Sequence, residues 1–137
     1  MGANVVLTSN LSEVIDKIDD TIRARMQEAV DEVRGKTLET LSGTRTGRIY
    51  KVPGTNTYYT ASSPGEAPAQ ATGDLRESIK TEIEGEGEKT VGMVGTDMKK
   101  GPMLEYGTKN MAARPWLRRS FEESEGKVKE IFSRKWF

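Results

Sequence analysis

The chain has 137 residues, with 21 basic and 21 acidic side chains that cancel at neutral pH, which predicts one domain spanning 1–137. It holds no cysteine and no histidine, which removes disulfide frameworks, thiolate metal sites, the commonest general base and the commonest transition-metal ligand. Leu, Ile, Val and Phe make up only about a fifth of the sequence, a thin core that suits a small domain stabilised further by self-association.

Residues 1–10 read as an N-terminal arm. They lack the basic start and long apolar stretch of a signal peptide. Val6 stands where a myristoylation signal needs Ser or Thr. No apolar run nears the roughly 20 residues that span a bilayer. The expectation is a soluble chain made inside the cell, with no membrane partner.

Residues 11–42 carry apolar side chains at Leu11, Val14, Ile15, Ile18, Ile22, Met26, Ala29, Val30, Val33, Leu38 and Leu41. Steps of three and four predict one stripe on a long helix. Ser9 or Asn10 is placed to cap its start, and Ser42-Gly43 to stop it. At about 1.5 Å per residue the helix outruns one small domain, so Gly35 bends it or one end projects onto a neighbour.

Residues 43–73 are dense in Gly and Pro and predict an extended loop. The exceptions are segments 48–52 and 57–60, which can pair as a short hairpin across Pro53-Gly54. A loop of that length in a small domain is functional or disordered. From 74 to 110 a small β-sheet is expected. Leu75–Ile79 is one helical turn or the start of a strand, Ser78–Ile83 a strand, Gly85–Glu88 a turn and Lys89–Val94 a second strand. Met103–Tyr106 is a third strand or a short helical turn. Residues 114–137 predict a last helix opening at Pro115 and burying Trp116, Leu117, Phe121, Val128, Ile131 and Phe132. The fold class is α+β: long N-terminal and C-terminal helices packed on a small antiparallel sheet, with a long Gly/Pro-rich loop.

Chemistry-bearing patterns are sparse. Gly85-x-Gly87 lies among Glu82, Glu84, Glu86 and Glu88 and precedes a strand, so a hairpin turn fits better than a phosphate cradle. The glutamates lack the offsets of a calcium loop, and alternation places Glu82, Glu84 and Glu86 on one solvated strand face. Ser42, Ser62, Ser63 and Ser78 have no histidine to activate them, and a Ser78–Lys80 arrangement has no recognisable local pattern. No catalytic residue, metal or cofactor is expected.

Two gapped segments carry a resemblance. The first is Glu105-Tyr106-Gly107-Thr108 followed by Ala113-Arg114-Pro115-Trp116-Leu117. The second is Ala61-Ser62-Ser63-Pro64-Gly65-Glu66-Ala67-Pro68-Ala69, leading into Thr72-Gly73-Asp74-Leu75 and Ser78-Ile79. Together they resemble the neck or tail-completion proteins of long-tailed bacteriophages, over about Gly43 to Phe121. Gly101-Pro102-Met103 departs from the family's aromatic or alanine-rich turn.

The resemblance implies a virion protein at the head–tail junction, made in the host cytoplasm. It would form a homo-oligomeric ring, a hexamer being favoured, around the DNA channel. Its partners would be connector and tail-tube or tail-terminator proteins. The interface and motif residues it implies are Gly73, Leu75, Ser78, Glu105, Tyr106, Gly107, Thr108, Arg114, Pro115, Trp116, Arg118 and Arg119.

Charge patterning is compatible with that role. Segment 74–88 is acidic, and Lys99, Lys100, Lys109, Arg114, Arg118 and Arg119 make 99–119 basic. Opposite faces of this kind suit either solvated surfaces or a head-to-tail ring. Glu105 and Arg114 flank the Gly107 turn and suggest a charge pair that fixes it to the last helix. The alternative function is a DNA-binding or packaging accessory protein using basic segment 109–119, though a nucleic-acid reader normally shows overall positive charge.

Overall fold

A computed structural model describes the backbone of residues 2–136 and the side chains of residues 13–136. Helix α1 runs over Gly2–Ser42, and strands β1 (Ile49–Lys51) and β2 (Tyr58–Thr60) form a hairpin. Helix α2 (Asp74–Ser78) leads into β3 (Lys80–Glu84), a single 3-10 turn (Gly87–Lys89) and β4 (Val91–Gly95). Helices α3 (Lys100–Tyr106) and α4 (Leu117–Ser133) complete the chain. The class is α+β. β3 and β4 pair antiparallel, with Glu82 opposite Met93 and Glu84 opposite Val91, and form a sheet separate from β1–β2.

α1 has 41 residues, about 60 Å at 1.5 Å per residue. Its start at Gly2 corrects the expected arm over 1–10, and the backbone is helical through Ser9 and Asn10, so neither opens the helix. Residues 3–8 contain neither Gly nor Pro, and extending an existing helix costs far less than starting one. The helix also continues through Gly35.

α1 and α4 pack antiparallel: Thr40 meets Ser120 near the start of α4, while Arg25 meets residues 131–135 at its end. The buried face of α4 carries Trp116, Ser120, Ser124 and Ile131. Two serines there let the helices approach closely, and their hydroxyls are satisfied by the carbonyls of Trp116 and Ser120, four residues back. Phe121, expected in the core, is 54% exposed, because it sits about 100° around the helix from Ser120.

The main core joins Leu41, Leu75, Ile79 and Trp116, with Leu38, Val94, Leu104 and Leu117 partly buried around them. β3–β4 covers α1 next to this cluster. A Cβ at Gly92 would lie 2.5 Å from Val30 Cγ1 and 2.6 Å from Met26 Sδ, so only glycine lets β4 come this close to the helix. The outer sheet face leaves Glu82, Glu84, Val91 and Met93 exposed.

The span 43–73, expected as an extended loop, contains the β1–β2 hairpin and is anchored along its length. Arg45 donates to the carbonyls of Thr40 and Pro68, and Gln70 donates to that of Leu41. The expected sheet region 74–110 holds two strands and two helices. Its last part, for which the sequence allows a strand or a helical turn, is helix α3.

Candidate functional site

The joint between α3 and α4 is built by residues 101–119. α3 ends as the Gly107 N–H donates to the Met103 carbonyl at 2.9 Å. Gly107 has φ +78, and a Cβ there would meet Ala113 N at 2.8 Å and Met111 O at 2.9 Å. Positive φ and close backbone approach together demand glycine. Thr108 and Met111 then bridge to each other, and the Arg114 N–H returns to the Leu104 carbonyl at 2.6 Å.

α4 begins at Leu117 and ends at Ser133 rather than spanning 114–137. Pro115 precedes it, and Trp116 takes the cap position with φ −136 and ψ −39. The cap itself comes from Glu105. Its carboxylate accepts the backbone N–H groups of Trp116 at 2.8 Å, Leu117 at 2.9 Å and Arg118 at 3.0 Å. These are donors that a helix start leaves without an internal partner, and the negative charge faces the positive end of the helix dipole. The expected Glu105–Arg114 ion pair is therefore replaced by two separate anchors. Glu105 holds the helix start, and Arg114 Nη1 donates to the Ser62 carbonyl at 2.6 Å.

That last contact connects the two sequence signatures. The Gly65 N–H also donates to the Ala113 carbonyl at 3.3 Å, and Arg119 Nη2 to the Gly65 carbonyl at 2.8 Å. Segment 62–65 thus lies against 113–119. Next to it, Glu66 Oε1 accepts from Thr46 Oγ1 at 2.7 Å, Ser63 N at 2.8 Å and Thr46 N at 3.2 Å. The Thr46 hydroxyl bond, then the Ser63 backbone bond, draws the Glu66 carboxyl down from 4.5 to about 2. Partial burial lowers the pKa of neighbouring Arg45, with Glu66 opposing.

The second signature also feeds the core. Gly73 precedes α2, and Leu75 is buried against Trp116 and Gly101. Trp116 is 2% exposed and donates its indole N–H to the Gly101 carbonyl at 2.9 Å. A Cβ at Gly101 would strike Thr96 Cγ2 at 2.4 Å, which explains why glycine stands here. Ser78 binds the Leu75 carbonyl and the Thr96 hydroxyl, while Lys80 pairs with Asp97, so serine and lysine have separate structural partners.

Other signature residues face outward. Tyr106 is 80% exposed, and Thr108 and Arg118 are exposed too, Arg118 pairing with Glu122 at 3.2 Å. Tyr106, Phe121 and Met93 line an apolar groove of about 700 Å³, whose floor is the α1 segment holding Ala29, Val30 and Val33. Sequence periodicity did not reveal this groove, because it depends on β4 and α4 standing apart over α1. Among the described residues, no group of three or more His, Cys, Asp or Glu is placed to hold a metal ion, and no helix is long and apolar enough to cross a membrane.

No protein-family profile, curated protein or solved structure matched the chain.

Proposed function

We propose that this chain is a structural component of the head–tail junction of a long-tailed phage or prophage, acting as a homo-oligomeric ring and not as a catalyst. The observation that supports the reading is the hydrogen-bonded contact between its two signature segments, Ser62–Glu66 and Ala113–Arg119. Residues some 50 positions apart that carry one family resemblance also build one joint. That joint leaves Tyr106 and Phe121 exposed beside an apolar groove, as a surface meant for another protein does.

The mechanism of such a ring is geometric. Rigid joints fix the angle between α3 and α4, one face meets the connector and the other the tail, and DNA passes through the middle. The acidic stretch 74–88 and the exposed Lys99, Lys100 and Lys109 supply opposite charges for the contacts between copies.

Immunogold electron microscopy of tailed particles assembled with this chain tests the proposal. Label confined to the junction of head and tail is expected. Label along the tube, or none on any particle, would overturn it. Salt-sensitive retention of duplex DNA by the free protein, with no label on particles, would favour the DNA-binding alternative.

A further inference from the structure

Two exposed surfaces of this molecule fit each other. β4 pairs with β3 on one side only, and among the described residues no strand pairs with its other edge. An open edge presents unpaired backbone N–H and C=O groups, which makes it a template for an added strand. Here the edge borders the 700 Å³ apolar groove, where Tyr106 and Phe121 stand over α1 and Met93 lies at the rim on the outer sheet face. On the same molecule, the β1–β2 hairpin exposes Ile49 (70%), Tyr58 (64%) and Tyr50 (48%). The hairpin also belongs to no larger sheet. Tyr50 packs on the Tyr59 ring at 6.1 Å, while Ile49 and Tyr58 stand exposed on the opposite hairpin face, and the groove has apolar walls among the described residues.

Charge agrees with shape. Segment 43–65 carries Arg45, Arg48 and Lys51 and no acidic residue, whereas β3 carries Glu82 and Glu84 and the connection to β4 carries Glu86 and Glu88, against the two cations Lys80 and Lys89. Arg48 and Lys51 lie on or beside the hairpin strands and are exposed, as are Glu82 and Glu84 on the sheet. A neighbour approaching hairpin first would bring its cations to these carboxylates, which speeds encounter and fixes register.

We infer that the β1–β2 hairpin of one copy docks along the open edge of β4 in the next copy, placing Ile49 and Tyr58 in its groove. The two surfaces are different parts of one chain, so the contact is heterologous. Repeated from copy to copy, it closes into a ring when the rotation permits. This rests on the self-association reading above and names the surfaces that would carry it.

The chain has no native cysteine, which permits a clean cross-linking test. Ile49→Cys and Met93→Cys are made separately and in one chain, then oxidised with diamide at concentrations where the wild type associates. The mixed single variants should give a disulfide-linked dimer, each single variant alone should stay uncross-linked, and the double variant should give a ladder of multimers. Independently, Tyr58→Asp should weaken association about tenfold or more, as loss of a central aromatic anchor does, with thermal melting of the monomer unchanged. Cross-linking of either single variant with itself would overturn the inference in favour of a like-with-like contact. A double variant closed within its own chain would overturn it as well. No cross-link in a mixture that still sediments as an oligomer would reject this interface while leaving the ring reading intact. A wild type that sediments as a monomer at every concentration would remove both.

Discussion

Glu105 holds three backbone N–H groups at the start of α4 from eleven residues upstream. Glu105→Ala should cost about 1–2 kcal/mol, the range for losing a helix cap with its dipole interaction. Glu105→Gln should recover part of that loss by keeping an acceptor. Urea melting of the three proteins checks this, and equal stability of wild type and Glu105→Ala would refute the capping role. Trp116 joins the core to α3 through its indole, and Trp116→Ala should cost about 3–5 kcal/mol, a large share of the stability of a domain this small.

Glu66 gives a pH signature at the same scale. Its folded pKa, near 2, lies below the ordinary 4.5. The stability it contributes is therefore fully present above pH 4.5 and is lost as the pH falls from 4.5 towards 2. Glu66→Gln should flatten the stability profile in that window. Parallel acid profiles for the two proteins would contradict the assignment. Burial of Trp116 was readable from the sequence, but the roles of Glu105 and Glu66 were not: Glu105 and Arg114 stood out as a pair flanking a turn, and their partners are backbone groups that only the folded chain brings near.

Among the elements, the end of α4 depends on a side chain from α1. Arg25, 9% exposed, donates to the carbonyls of Ile131, Phe132, Arg134 and Lys135. Its guanidinium also lies 4.3 Å from the Trp136 ring centroid. A cation over unpaired carbonyls at the negative end of a helix dipole is well placed. Arg25→Met should cost about 1.5–3 kcal/mol, the range for hydrogen bonds from a charged donor, and should fray residues 131–136. Amide exchange would report that fraying, and unchanged protection there would count against the cap.

The hairpin turn at 53–57 is exposed, while the flanks of 43–73 are pinned by Arg45, Glu66, Arg114 and Arg119. Limited proteolysis should cut first at that turn and spare Ser62–Pro68. The hairpin itself was legible, because Pro53-Gly54 separates two runs with aromatic and β-branched residues. The inward face of α4 was only partly so. Hydrophobicity favoured Phe121, but close packing on α1 favoured Ser120 and Ser124, and small polar residues leave no apolar stripe. The long reach of α1 was foreseen from its periodicity, whereas its first turns were not, since Ser9 and Asn10 offered a start signal that the helix does not use.

At the scale of the whole molecule, opposite charges lie on separate stretches of a neutral chain. Reversing Arg48 and Lys51 to Glu should weaken association while leaving melting unchanged, because both are exposed. Reversing Arg119 would instead also break its bond to Gly65, so it confuses assembly with folding. Raised salt should weaken the wild-type contacts to the extent that they remain solvated. The α+β class and the two terminal helices were legible in the sequence, and so were the residues of the α3–α4 joint. The groove between β4 and α4 was not, since it arises from tertiary spacing. Electron microscopy of the concentrated protein with two-dimensional averaging tests ring formation itself. Closed rings of uniform subunit number around a central channel are predicted; monomers alone, or open filaments that never close, would contradict it.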